Sequence, residues 1–216
     1  MLDELRIEVY KANIGLSKYR LVTMSYGNAS GRDPKENLIV IKPSGINYDD
    51  MKIEDLVIAD MDGNVVEGRL NPSVDLPIHI YLYKNMTDVN GIVHTHSNYA
   101  TSFSACGMSI PVCLTAIADE FGDEIACTEY ASNEGNNIGK AIIKVRNRAP
   151  AVLVRNHGVF TFNRTPFGAL KAAVMVEDVA KTYHLALLKG KPDVIPHQEV
   201  EKWWTRYHTW YGQQNK

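Results

Sequence analysis

Cysteine is scarce in this 216-residue chain, and the three present, Cys106, Cys113 and Cys127, lie 7 and 14 positions apart. An odd number at that spacing fits neither a disulfide framework nor a CxxC metal or redox pair, so all three are expected as reduced core residues. No uninterrupted apolar run approaches the roughly 18 residues that a membrane span needs. The opening Met1-Leu-Asp-Glu-Leu-Arg6 also lacks the basic-then-apolar order of a signal peptide. The expectation is a cytoplasmic protein with no membrane partner. Charge of one sign is missing too: 23 Lys+Arg stand against 25 Asp+Glu, for a formal net charge of -2, without a Lys/Arg cluster. That leaves no electrostatic footprint for nucleic acid or anionic lipid. There is no Pro/Ser/Gly-rich linker, internal repeat or low-complexity tract, so residues 1–216 are expected to form a single domain with one sizeable core.

What is present alternates between two periodicities. Leu5, Val9, Ala12 and Leu16 recur at helical spacing and predict an opening amphipathic helix. Residues 37–42 and 56–60 are β-rich runs, and Asp62-Gly63-Asn64 ahead of Val65-Val66 predicts a tight hairpin turn. Ser73 is the expected N-cap of a helix with Leu76, Ile80 and Tyr83 on its apolar stripe, ending near Lys84. Residues 91–96 read as a strand leading into a helix at 99–106, and 136–146 as a further helix. Strands follow at 151–155 and 158–162, then a long helix over 166–189. Strands and helices alternating in this way place the chain among three-layer α/β domains.

The sharpest chemical signal is His94-Thr95-His96. Residues i and i+2 of a strand point to one face with Cα atoms about 6.6 Å apart, close enough for two imidazoles to meet one metal ion. Alone the pattern is weak. His157, in Arg155-Asn156-His157-Gly158 at an expected turn between two strands, offers a third imidazole. Asp75 completes a three-His, one-carboxylate set suited to zinc or another divalent ion, or else is simply an acid at a helix N-terminus or the i,i+4 partner of His79. Three turns carry anion-binding chemistry: Gly27-Asn28-Ala29-Ser30-Gly31, Lys42-Pro43-Ser44-Gly45, and Pro72-Ser73 before the Asp75 helix. None is a nucleotide fingerprint, and each taken singly is more often a structural turn. All three tryptophans, Trp203, Trp204 and Trp210, fall near the end with Tyr207 and Tyr211 at helical spacing. Such a stripe is expected to dock the tail on the body or on a neighbouring subunit.

With these segments in view, the chain resembles the L-ribulose-5-phosphate 4-epimerase branch of the class II aldolase/epimerase family over nearly its full length. The resemblance runs through Tyr26–Gly31, Ile41–Gly45, Pro72-Ser73-Val74-Asp75-Leu76-Pro77-Ile78-His79, Gly91–Ser97, Thr115–Asp119, Asn156-His157-Gly158 and the terminal Tyr211-Gly212-Gln213. It implies Asp75, His94, His96 and His157 as ligands of a divalent metal, zinc by expectation. It implies Gly27, Asn28, Lys42, Ser44, Gly45, Ser73 and Val74 as substrate and phosphate contacts, and Asp119 and Tyr211 as the acid/base pair. It further implies an α/β/α fold around a mostly antiparallel sheet, and a homotetramer with active sites between subunits. Asp75, in place of the Glu of the fuculose-phosphate aldolase branch, and the terminal Tyr-Gly-Gln point to epimerase.

Three departures from the branch stand out. Ser73-Val74 replaces a pair of serines, the loop beyond Asp119 is shorter, and Lys202-Trp203-Trp204 stands for a Lys-His-Tyr. The implied reaction on a ketopentose phosphate breaks C3–C4 to give an enediolate and glycolaldehyde phosphate, turns the aldehyde, and re-adds it with C4 inverted. Two proton-transfer groups on opposite faces are needed, which suits Asp119 and Tyr211. The alternative is an aldolase, decarboxylase or dehydratase using the same metal-enediolate chemistry. A non-catalytic scaffold, as in adducin-like heads, predicts lost ligands, and none is lost here.

Overall fold

Apolar residues face both sides of the central strands, so the sheet needs cover on both faces. The computed structural model describes residues 2–212, so Gln213 of the Tyr-Gly-Gln segment lies outside the described residues. The helices are α1 (Asp3–Lys18), α2 (Leu76–Asn85), α3 (Asn98–Ala105), α4 (Thr115–Phe121), α5 (Asn137–Val145), α6 (Pro166–Leu187) and α7 (His197–Thr209). The strands are β1 (Asn28–Asp33), β2 (Leu38–Ile41), β3 (Val57–Asp60), β4 (Val65–Glu67), β5 (Gly91–Thr95), β6 (Ala151–Val154) and β7 (Gly158–Asn163). All seven strands join one sheet in the order β4-β3-β2-β1-β5-β7-β6, and every pairing is antiparallel.

Strand parity sorts the core. Ile39, Ile41, Val57, Ala59, Ile92 and Phe160 pack with α2 and α5 on one face. Val40, Ile58, Ala29 and Val93 pack on the other with Val9, Ala12 and Leu16 of α1 and Ala169, Leu170 and Ala173 of α6. Helices therefore lie on both faces of the sheet, the expected α/β/α layering around an antiparallel sheet. A satellite core joins α3, α4 and α6 to β6 and β7, and α7 rests on α4 rather than on the sheet. Among the described residues no helix is long and apolar enough to cross a membrane.

Three expectations need correction, and one helix was not anticipated. Residues 28–31 form no turn: they open β1, a central strand paired with β2 and β5, whose small polar residues are buried by neighbours on both sides. Asp75, not Ser73, precedes α2 as its cap residue rather than lying in its first turn, and of the nearby backbone the Ser73 hydroxyl accepts the Asp75 N–H, at 3.3 Å. The seven-residue α4 is too short to announce itself by periodicity. The cysteines are free but not core residues, since Cys106 is exposed and the other two are half-buried.

Candidate active site

Register places the first residues of the site. Asn28 of β1 pairs with His94 of β5, and His94 pairs with Phe160 of β7, so one row crosses three strands. By the same parity Asn28, Ser30 and His94 face α2, while Ala29 and Val93 face α1 and α6. His96 follows just beyond the end of β5, and His157 sits in the turn between β6 and β7. In that turn Asn156 takes φ 58°, and the Asn156 and His157 amides donate to Ser104 O and Val154 O. Gly158 is required by close approach, because a Cβ there would lie 2.5 Å from the Thr95 carbonyl and 2.8 Å from His96 Cδ2. The third histidine is delivered beside the first two by a backbone crossing that no other residue permits.

The three rings converge. His94 Nε2 lies 2.9 Å from His96 Nε2 and 3.1 Å from His157 Nε2. His94 Nδ1 is 2.9 Å from Val159 O, and a carbonyl can only accept, so Nδ1 carries the proton and Nε2 presents its lone pair to the cluster. The His94 ring also stacks on Phe160 with centroids 4.3 Å apart. A tetrahedral ion about 2.0–2.1 Å from each nitrogen would hold its ligands about 3.3 Å apart, and the ligand nitrogens of the three histidines all lie within 4.8 Å of one another. Burial drives His94 down to about 3, with Asp75 opposing, and it lowers His96 and His157 as well. The rings are therefore neutral near pH 7, the form that can bind a cation.

Asp75 lines the same cleft, one of its carboxylate oxygens held by protein: Asn28 Nδ2 donates to Oδ2 at 2.7 Å and to Ser73 Oγ at 3.1 Å. Burial penalises the carboxylate, yet His94, His79, the Asn28 amide and His157 together hold it below the ordinary range. Asn28 Oδ1 is buried without a partner, an acceptor left over for a ligand hydroxyl. Beneath, Ser30 Oγ links His79 Nδ1 at 2.7 Å to Tyr83 OH at 2.8 Å. Burial depresses His79 to about 4 against the pull of Asp75, so no charged i,i+4 pair forms at neutral pH.

The donor turns gather at this cleft, whose volume is about 470 Å³. Gly27, Lys42, Ser44, Gly45, Ser73 and Val74 line it together with Asn28, Asp75 and the three histidines. Residues 42–44 and 71–73 are laced side by side, Ser44 N donating to Asn71 O and Ser73 N to Lys42 O. Lys42 is buried, its Nζ donating to Ser25 O at 3.1 Å and Pro43 O at 3.3 Å, and burial pushes it down to about 8. Tyr26, Ile78, Asn133 and Ile138 also line the cleft and carried no expected role. Tyr26 was flagged by its position in a matched segment. Asn133 and Ile138 arrive from a distant loop and helix and gave no signal.

Asp119 and Tyr211 do not line this cleft; they meet elsewhere, at Arg206. The Arg206 guanidinium lies 4.0 Å from Asp119 Oδ2 and 5.0 Å from the centroid of the Tyr211 ring, which stacks on Tyr207. Asp119 Oδ1 and Arg206 Nε are both buried without a partner. Of the terminal aromatics, Trp203 packs against the satellite core and Trp204 against Gly122, while Trp210 and Tyr211 face outward.

Comparison with known proteins identifies the family and the fold. Residues 7–184 match the model for the Class II Aldolase and Adducin N-terminal domain. The chain is 38% identical to L-ribulose-5-phosphate 4-epimerase UlaF of Salmonella typhi, over 98% of this chain and 100% of that protein. It is 40% identical to the protein of the same name from Salmonella paratyphi B, over 86% of each. Among solved structures, an L-fuculose 1-phosphate aldolase superposes with a TM-score of 0.89 at 29% identity, over 96% of this chain and 98% of that one.

Proposed function

The chain belongs to the class II aldolase and adducin N-terminal domain family, and on that premise we propose that it is an L-ribulose-5-phosphate 4-epimerase. It interconverts L-ribulose 5-phosphate and D-xylulose 5-phosphate by breaking and remaking C3–C4. The observation that carries this reading is the convergence of three Nε2 atoms, 2.9 and 3.1 Å apart, in one cleft with the donor turns. His94, His96 and His157, with Asp75, would hold one divalent ion, zinc by their N/O donor set. Bound there, the ion supplies Lewis-acid stabilisation of the charge that develops on the sugar oxygens during cleavage.

The protein supplies the rest. The turns at 42–45 and 72–74 take the phosphate, with the Lys42 ammonium close by. Asn28 offers Oδ1 to a sugar hydroxyl while its amide keeps Asp75 ionised and in place. Asp119 and Tyr211 transfer protons on opposite faces of C4, taking the C4 hydroxyl proton on cleavage and returning one to the new alkoxide after re-addition. Since both lie away from the histidine cleft of their own protomer, they serve the cleft of a neighbour in a homotetramer, in the cytoplasm. The test is to incubate the zinc-loaded protein with L-ribulose 5-phosphate and analyse the products. D-xylulose 5-phosphate is expected. Glycolaldehyde phosphate and dihydroxyacetone as the only products would overturn the epimerase reading in favour of a family aldolase.

A further inference from the structure

One stretch of the cleft wall is held far more firmly than its exposure requires. Ser25 O accepts from the buried Lys42 ammonium, and the buried Tyr48 hydroxyl lies 3.1 Å from Tyr26 O and 2.8 Å from Gly27 O. Tyr26 N in turn donates to Thr23 O at 3.1 Å. Three consecutive carbonyls are thus engaged by two buried side chains. Gly27, at φ 75° with the His94 carbonyl 2.8 Å from where a Cβ would lie, seals the segment against β5. The largest side chain on this fixed backbone is nevertheless left open. Tyr26 is 64% exposed in the protomer, lines the cleft, and holds its ring 5.9 Å from that of His96, tilted by 41°. A rigid backbone that aims an aromatic ring into a cleft beside a candidate metal ligand is a preformed wall, not a surface accident.

We propose that Tyr26 is a specificity-determining residue whose ring retains the three-carbon fragment between cleavage and re-addition; this rests on the epimerase reading above. When C3–C4 breaks, its electron pair goes to C3, giving the enediolate, and the C4 hydroxyl proton goes to the acid/base pair as C4 becomes the aldehyde of glycolaldehyde phosphate. The phosphate turns hold that fragment. The other has no phosphate, and a water proton delivered to C3 would turn it into free dihydroxyacetone, leaving hydroxide behind. An aromatic face covers C–H surface and keeps water from the carbon that must not be protonated. The ring, and not its hydroxyl, does this.

The experiment measures partition rather than rate. Zinc-loaded wild type, Tyr26→Ala and Tyr26→Phe are given L-ribulose 5-phosphate, and D-xylulose 5-phosphate is counted against released dihydroxyacetone. Tyr26→Ala should raise the released fraction about tenfold, while Tyr26→Phe restores the wild-type ratio. Saturation transfer from protein to added dihydroxyacetone should weaken in Tyr26→Ala alone. Metal content, and the affinity of the metal-free protein for inorganic phosphate, should match wild type. An unchanged partition in Tyr26→Ala overturns the proposal, as does a Tyr26→Phe enzyme that leaks like Tyr26→Ala. Wild type that makes no D-xylulose 5-phosphate overturns the epimerase reading itself, a result distinct from a wild-type epimerase indifferent to position 26.

Discussion

The histidine cleft and the Arg206 cluster are built on opposite plans. In the first, strand register sets the side chains, His94 is 2% exposed, and its second ring nitrogen is already spoken for by Val159. In the second, Asp119 and Tyr211 come from a short helix and from the chain just past α7. Tyr211 is 59% exposed, and buried valences on Asp119 and Arg206 are open. A site that must hold a cation in fixed geometry gains from a sheet. Groups that must meet a substrate held by another protomer gain from being presented outward on helices. On the proposed reading the two halves serve one site divided between molecules, and each prediction tries that division.

Removing a ligand should have the largest effect. His94→Ala should lose its metal, read by emission spectroscopy, and all activity with it; full occupancy in the variant would break the assignment. Asp119→Asn and Tyr211→Phe should each lower kcat by about 10²- to 10⁴-fold with metal content intact. Mixing His94→Ala with Tyr211→Phe subunits should restore activity in the hybrids, whereas sites built within one chain would stay dead at every ratio. Arg206→Gln removes a guanidinium that touches both groups without itself being an acid or base, so a loss of about 10- to 100-fold in kcat is expected, again with the metal retained.

Acid should separate the regions by stability. Burial depresses His79 to about 4, below its unfolded value of about 6.5. The unfolded chain therefore takes up a proton first, and the stability contributed by neutral His79 is complete above about pH 6.5 and is lost as pH falls towards 4. Denaturant titrations of the metal-free protein across that window should show the decline. The smallest effect belongs to Val74, 81% exposed where a serine donor is missing. Val74→Ser should lower KM by up to about fivefold, the worth of one hydrogen bond of about 1 kcal/mol.

How much of this the sequence carried differs between the regions for a physical reason. His94 and His96 were legible because strand period puts i and i+2 on one face, and the α/β alternation was legible because most of its elements have clear apolar periodicity or β-rich composition. Asn28-Ala-Ser-Gly-Arg-Asp33 reads as a turn because its residues are small and polar. It becomes a strand only through pairing on both sides, which a local window does not contain. The meeting of Asp119 with Tyr211 is likewise long-range, since it depends on α7 packing on α4. Arg206 at its centre gave no signal, being one arginine in an aromatic helix.

The proposed histidine ligands also carry a timetable. His157 follows His96 by 61 residues, and the strand it introduces, β7, must pair with β5 before its ring can reach the other two. At a synthesis rate of about 5–20 residues per second, a nascent chain spends about 3–12 s with only two of its imidazoles made. Two imidazoles on a strand edge bind a cation weakly, so firm capture waits for the sheet to close. Retention of a bound ion would then report that β7 has docked, and with it the most non-local strand pairing of the fold.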